Sequence, residues 1–555
     1  MLTFDEDKQD KKIDELLKKE EEELAMILSG KYGIEYLDLS RMSIETDALR
    51  LIPEDEARAA KVAIFDATGR KLRIAVLAPD SDETRAILED LKRRNYNVTP
   101  YIVSKGSLER AWGRYKEISF ASESKAGVLD ISSEEIEGFV SRVRSLDDVQ
   151  KLIEDVLVEK KAYRISRILE IVLAGALSMG ASDIHVEPEE EYVRLRYRLD
   201  GVLTHILNFD HETFALLLSR IKLLSRLKLN VKNEAQDGRF SIKIADSEIE
   251  IRTSLLPGAY NESIVLRILN PKSIQVPMEE LGISPKLFKI LDHEIHRPNG
   301  MILNTGPTGS GKTTTLYAFL RKVHNPEIKI ITIEDPIEYH LPGIVQTQVD
   351  HKNYNFSQGL RSVLRQDPDV IMVGEIRDDE TAEIAINAGL TGHLVLSTLH
   401  TNNAAGAFPR LIDLGVNPKV ISSAVNVAIA QRLVRKLCKN CAKEIPLPPE
   451  TKTIIETELA EATEKPDNLQ MEHVFEAVGC SECSGVGYKG RVGIFEAILM
   501  TPEVNKAINE NPGEEDIMKA AASQHMLSLK QDGFIKILQG TTTLEELARV
   551  IDLGL

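Results

Sequence analysis

The residues Gly306-Pro307-Thr308-Gly309-Ser310-Gly311-Lys312-Thr313 have the spacing Gly-x-x-x-x-Gly-Lys-Thr. That spacing suits a triphosphate. Glycines let successive backbone N–H groups converge on phosphate oxygens, and a helix N-terminus adds positive potential. Lys312 is placed to contact the β- and γ-phosphates, the Thr313 hydroxyl to ligate Mg²⁺, and Thr314 completes the cradle. A carboxylate ends a later apolar run, Asp369-Val370-Ile371-Met372-Val373-Gly374-Glu375. Glu375 is the candidate for polarising an attacking water. Gly374 stands where an Asp is usual, so Mg²⁺ relies on Thr313, the phosphates and water. The chemistry these residues allow is hydrolysis of Mg-ATP.

A second constellation uses all four cysteines of the chain, Cys438-Lys439-Asn440-Cys441 and Cys480-Ser481-Glu482-Cys483. Paired Cys-x-x-Cys knuckles suit tetrahedral Zn²⁺, whose borderline softness favours sulfur. The loop between them is longer than a compact zinc ribbon allows, so spacing alone leaves two redox pairs or a [4Fe–4S] cluster open. With no open ligand position, zinc here is structural.

These residues need elements to hold them. Apolar runs at 301–304, 328–333, 370–373 and 394–397, separated by helical stretches, predict a parallel sheet covered on both faces. The P-loop follows the first run and opens a helix over 313–320, the context the mechanism requires. Upstream, Tyr192–Arg198 reads as a strand before an Asp200-Gly201 turn. A hairpin is expected around Asp237-Gly238-Arg239 and Ile249–Arg252. Still earlier, Lys71–Leu77 reads as a strand and Pro79–Asp82 as a turn opening a helix.

At 555 residues the chain exceeds one core, and 43% hydrophobic with 28% charged residues fits a globular protein. No apolar stretch reaches the roughly 20 residues of a spanning helix, and the N-terminus lacks a secretory pattern, so a cytoplasmic location is expected. A formal charge of -18 argues against a nucleic-acid partner.

Four ordered motifs carry a resemblance to a known family. They are the P-loop; Thr332-Ile333-Glu334-Asp335-Pro336-Ile337-Glu338, similar to an aspartate box; Leu364–Asp369 leading into Gly374-Glu375-Ile376-Arg377-Asp378; and Thr391-Gly392-His393 through His400-Thr401-Asn402, similar to a histidine box. Over about residues 30–555 the chain resembles the secretion-superfamily ATPases of type IV pilus assembly (PilB) and type II secretion (GspE). The resemblance implies an α/β fold: a C-terminal RecA-like P-loop NTPase domain, a PAS-like α/β N-terminal half and a separate small N-terminal α/β domain. It implies catalytic roles for Glu334, His393 and His400, and completing arginines at Arg196 or Arg198, Arg239 and Arg252. Asn261-Glu262 departs from the family's usual Gly-Glu.

The expected organisation is a charged helix over 1–29, a docking domain over 30–115 and a linker over 116–150. The PAS-like domain follows over 151–275, then the ATPase domain over 276–555 with its zinc module at 436–492. The resemblance further implies a homo-hexamer at the inner membrane, acting on a PilC/GspF-like platform protein to assemble pilus or pseudopilus filaments. A docking protein would bind the N-terminal domain. Cyclic di-GMP is not expected there, because the family variant's Arg-Leu-Gly start and paired repeats are missing.

Overall fold

The computed structural model describes residues 6–117, 133–158, 164–244, 247–270, 275–350 and 353–553, except positions 40, 41, 43, 50, 69, 95, 463, 465, 467 and 468. The chain divides into two units, Met1–Ser122 and Glu123–Leu555.

In the first unit, strands β1 (Val62–Thr68), β2 (Lys71–Val76) and β3 (Asn97–Ile102) form one sheet, with β1 antiparallel and β3 parallel to β2. The Ser81 side chain accepts from Thr84 N and starts the helix Asp82–Arg93. The expected charged helix runs over Glu6–Tyr32. Its last turns place Ala25, Leu28 and Tyr32 in the core of this unit. Glu22 accepts from Tyr36 and Ser104, and Glu21 from Gly106 N.

In the second unit, the expected linker gives way to structure. Its residues 118–132 lie outside the described ones, but helices Ser133–Arg142 and Leu146–Val158 follow. They place Ile136, Phe139, Val149 and Ile153 in one core with the helix Arg164–Ser178. The helical spacing of these apolar residues outweighs the polar composition around them.

That core lies on one face of an antiparallel sheet of β4 (Asp183–Pro188), β5 (Val193–Leu199), β6 (Val202–Phe209), β7 (Gln236–Ile244), β8 (Ser247–Gly258) and β9 (Asn261–Leu269). The order is β6-β5-β4-β9-β8-β7. Alternation along β5 buries Val193, Leu195, Tyr197 and Leu199, so Arg194, Arg196 and Arg198 stand on the opposite face. At the β8–β9 turn Asn261 takes a positive φ of 127°, and Glu262 is buried against Lys222 at 2.7 Å. The turn therefore forms without the family's glycine.

The larger sheet contains β10 (Gly300–Thr305), β11 (Ile330–Glu334), β12 (Val345–Gln348), β13 (Val370–Val373), β14 (Leu394–Leu399), β15 (Val425–Leu437) and β18 (Tyr488–Leu499). Its order is β12-β11-β13-β14-β10-β15-β18, parallel except for antiparallel β18 at the edge. Both faces are covered. Met301 and Leu303 enter one core while Ile302 enters another, and Val395 and Leu396 divide in the same way. A separate hairpin, β16 (Ala442–Pro446) with β17 (His473–Ala477), lies between β15 and β18 in sequence.

Candidate nucleotide and metal sites

The P-loop leaves the C-terminal end of β10, the end at which open parallel sheets bind ligands. Gly311 takes φ 89° immediately before the helix Lys312–Val323, and a Cβ there would meet Gln431 Nε2 at 2.9 Å. Only glycine fits that turn. Lys312 is buried, and its Nζ donates to the carbonyls of Gly306 (2.6 Å) and Pro307 (3.1 Å). Burial, aided by Arg432, lowers the Lys312 ammonium to about 8, although Glu375 opposes this. Thr313 is exposed at the same end.

Glu375 comes to this place from β13. Ser397 and Thr398 of neighbouring β14 donate to the carbonyls of Val373 and Gly374, both at 2.8 Å, and Ile376 N returns to Thr398 O. Gly374 has a packing reason: a Cβ there would lie 3.2 Å from Ile333 O. The Glu375 carboxylate pairs with Arg377 at 2.6 Å and lies 3.4 Å from His400 Nε2. His400 follows the last residue of β14. Next to it, Thr401 N donates to Thr305 Oγ1 at 2.8 Å, tying this loop to the strand that feeds the P-loop.

His393 is not part of this cluster. It precedes the first residue of β14, and Leu394 to Leu399 pair in parallel with Gly300 to Thr305. Six residues of strand, about 20 Å, separate it from the phosphate end. Its carbonyl accepts from Gly300 N, and its ring Nδ1 lies 3.2 Å from Ala388 O. Sharing a histidine box does not bring two side chains together when a whole strand lies between them.

Glu334 lies in a different setting. It is buried and directed inward, where Tyr317 and Thr332 donate to its carboxylate together with Gln346 at 3.0 Å. Burial pushes its carboxyl up. These bonds connect the P-loop helix, β11 and β12.

The arginines share the polar face of the six-stranded sheet. Register places Arg239, Arg252, Arg267, Asp183 and Arg198 in one cross-strand row. Arg198 lies 3.4 Å and Arg267 3.0 Å from Asp183, and Arg196 pairs with Glu187. Arg239 is highly exposed beside Glu250. Arg252 alone of the four expected arginines reaches the loop after β11, donating to Ile337 O at 2.7 Å with Glu338 at 3.8 Å. A second tie joins the same halves: Asp200 accepts from Gly490 N at 2.8 Å. Sequence reading missed Arg267, which the alternation of β9 would have placed on this face.

The four cysteines converge. Cys438 Sγ lies 3.8 Å from Cys480 Sγ, and Cys441 Sγ 3.7 Å from Cys483 Sγ; all four sulfurs lie within 4.8 Å of one another. A tetrahedron with Zn–S bonds of about 2.3 Å has edges of about 3.8 Å, so the set fits zinc. It is too tight to enclose a four-iron cluster, and it mixes both knuckles, unlike two separate redox pairs. The long intervening segment poses no obstacle, because β16 and β17 pair Ala442 with Ala477 and bring its ends together. Amides of Cys480 and Gly487 donate to Cys483 Sγ, each at 3.2 Å, as a thiolate ligand requires.

Residues 158–549 match the family described as Type II/IV secretion system protein, and residues 32–121 match the MshEN domain. The type II secretion system protein E of Pectobacterium carotovorum subsp. carotovorum is 44% identical over 431 residues, covering 78% of this chain and 83% of that protein. The type IV pilus assembly ATPase PilB of Myxococcus xanthus is 36% identical over 530 residues, covering 95% and 90%. Among solved structures, the pilus retraction motor PilT with bound ADP aligns at 27% identity and TM-score 0.46, covering 69% of this chain and 96% of that chain. A family match over most of the chain, together with relatives this similar over most of their length, shows that the chain belongs to the type II/IV secretion system protein family.

Proposed function

We propose that this chain is an ATP-hydrolysing motor subunit in which Gly306–Thr314 bind the nucleotide and Glu375 activates the attacking water. One observation carries the reading. Lys312 and the Glu375–His400 pair meet at the C-terminal ends of the adjacent strands β13, β14 and β10. On binding, Lys312 exchanges the Gly306 and Pro307 carbonyls for phosphate oxygens, while the exposed Thr313 hydroxyl holds Mg²⁺. Magnesium supplies charge neutralisation at the transferring phosphoryl. Glu375 turns from Arg377 toward water, held in place by His400. The arginine face supplies further cations: Arg198, Arg239 and Arg252 lie in the cross-strand row and Arg196 beside it. A guanidinium offered across a subunit boundary stabilises transition-state charge, which supports a ring, expected to be a hexamer.

Nucleotide drives motion only by differential affinity for two arrangements of the subunit. In this reading the six-stranded sheet shifts against the ATPase sheet, and the ties through Arg252 and Asp200 are the contacts such a shift would change. The output, supported by the PilB relative, is assembly of type IV pilus or pseudopilus filaments through an inner-membrane platform protein. Type II secretion or DNA uptake is the alternative output of the same chemistry, and the platform protein that co-purifies separates them. Among the described residues no helix is long and apolar enough to cross a membrane, so recruitment through protein contacts is part of the reading.

The N-terminal unit serves as a docking domain. The expectation that it works without cyclic di-GMP is tested directly, given its MshEN match, by titration of the full chain with the dinucleotide. Tight association overturns that expectation. For the nucleotide site, the test is retention of labelled ATP with magnesium. Wild type retains it and Lys312→Ala does not; equal retention refutes the assignment.

A further inference from the structure

The P-loop accounts for Lys312 but not for the second buried cation beside it. Arg432 lies on β15, which runs parallel to β10 and pairs Thr305 with Ala430, so the next residues pass under the P-loop. Arg432 is 7% exposed. Among the described residues it has no carboxylate at salt-bridge distance. Glu496, whose charge acts on it, is engaged by the amides of Ala404 (2.9 Å) and Leu529 (3.4 Å). Instead the guanidinium donates to two carbonyls, Gln431 at 2.9 Å and Asn402 at 2.7 Å. An arginine buried without a directly paired carboxylate is costly to keep, and that cost calls for a reason.

Its position supplies one. A Cβ on Gly306 would lie 3.0 Å from Arg432 Nη1, 2.6 Å from Gln431 O and 2.7 Å from Ser310 Oγ, a buried hydroxyl without a partner. One end of the guanidinium therefore lies against the first glycine of the P-loop, the residue whose carbonyl holds Lys312. The other end grips Asn402, two residues beyond His400. One rigid plane thus spans the lysine-bearing and histidine-bearing loops.

We propose that Arg432 is a positioning residue for ATP hydrolysis, bracing the His400 loop against the P-loop so that His400 stays aligned on Glu375. This inference rests on the hydrolytic roles given above to His400 and Glu375. Lysine at 432 keeps the charge but cannot hold both carbonyls in one plane.

The test measures ATP affinity and steady-state turnover of the full chain for Arg432→Lys, Arg432→Gln, His400→Ala and the double variants with His400→Ala. The expected result is a loss in kcat of about tenfold or more for Arg432→Lys, with ATP affinity within about threefold of wild type. The double variants should be no slower than the slower single one. Additive losses in the double variants overturn the proposal while leaving His400 in the mechanism. Wild-type turnover in His400→Ala removes His400, and the earlier reading fails with it. Loss of ATP affinity at unchanged kcat makes Arg432 a phosphate ligand and overturns bracing. So does reduced thermal stability with normal turnover. If the Arg432 variants do not fold, Thr305→Val severs the other tie to the same loop. It should show the same kcat-selective, non-additive loss, and full activity there overturns the proposal.

Discussion

Replacing Glu546 by Gln should loosen the last helix of the ATPase domain. Glu546 lies in the helix Leu544–Val550, and its side chain is 2% exposed. Burial alone would raise its carboxyl. Arg435 and Arg549, with the Arg435 amide, outweigh that and hold it down to about 2, from an ordinary 4.5. A difference of about 2.5 pH units corresponds to on the order of 3 kcal/mol. The folded value lies below the unfolded one, so this stabilisation is complete above about pH 4.5 and disappears as pH falls toward 2. Arg435 also stacks on Tyr488, whose hydroxyl bonds Thr543 at the start of the helix, so the loss is local to this corner. Hydrogen exchange of the peptide covering 544–550 is the assay. Protection at pH 7 should fall about a hundredfold in Glu546→Gln, and the difference from wild type should shrink below pH 4.5. Unchanged protection at pH 7, or a difference that grows on acidification, refutes the reasoning.

Removing zinc by chelation, or replacing Cys483 with Ser, should destabilise the segment 438–487. Metal analysis should give one zinc per chain in wild type, and a metal-free protein with unchanged protection of that segment contradicts the assignment. The two histidines should separate cleanly. His400→Ala should lower turnover tenfold or more, while His393→Ala should leave ATP affinity unchanged and act, if at all, on stability. Arg252→Ala should loosen the six-stranded sheet from the ATPase sheet. Exchange at 337–340 should then rise in the absence of nucleotide, and unchanged exchange argues that the tie bears no load.

Local signals were the legible part of the sequence. The glycine spacing of 306–311 forces one backbone path, and apolar runs such as Met301–Asn304 bury on both faces of a sheet, so P-loop and strand could be read together. Glu375 could be located at the phosphate end of the sheet because a strand end fixes where a carboxylate emerges. The separation of His393 from His400 was not legible because a histidine motif does not reveal that the strand Leu394–Leu399 lies between them. The partners of Glu334, Tyr317 and Gln346, were not legible because they come from other elements and only tertiary packing brings them to it. The helices over 133–158 were missed because a Ser/Glu/Lys-rich composition concealed apolar residues at helical spacing. Arg432 carries no local signal, since its burial depends on β15 passing beneath the P-loop.

The central claim is that Lys312 and Glu375 form one hydrolytic site. Steady-state phosphate release by the full chain with Mg-ATP, for wild type and Glu375→Gln, tests it most directly. The account predicts that the variant retains ATP but loses turnover by about two orders of magnitude or more, the weight of one positioned base. Turnover close to wild type, with ATP bound, would remove Glu375 from the chemistry and contradict the account.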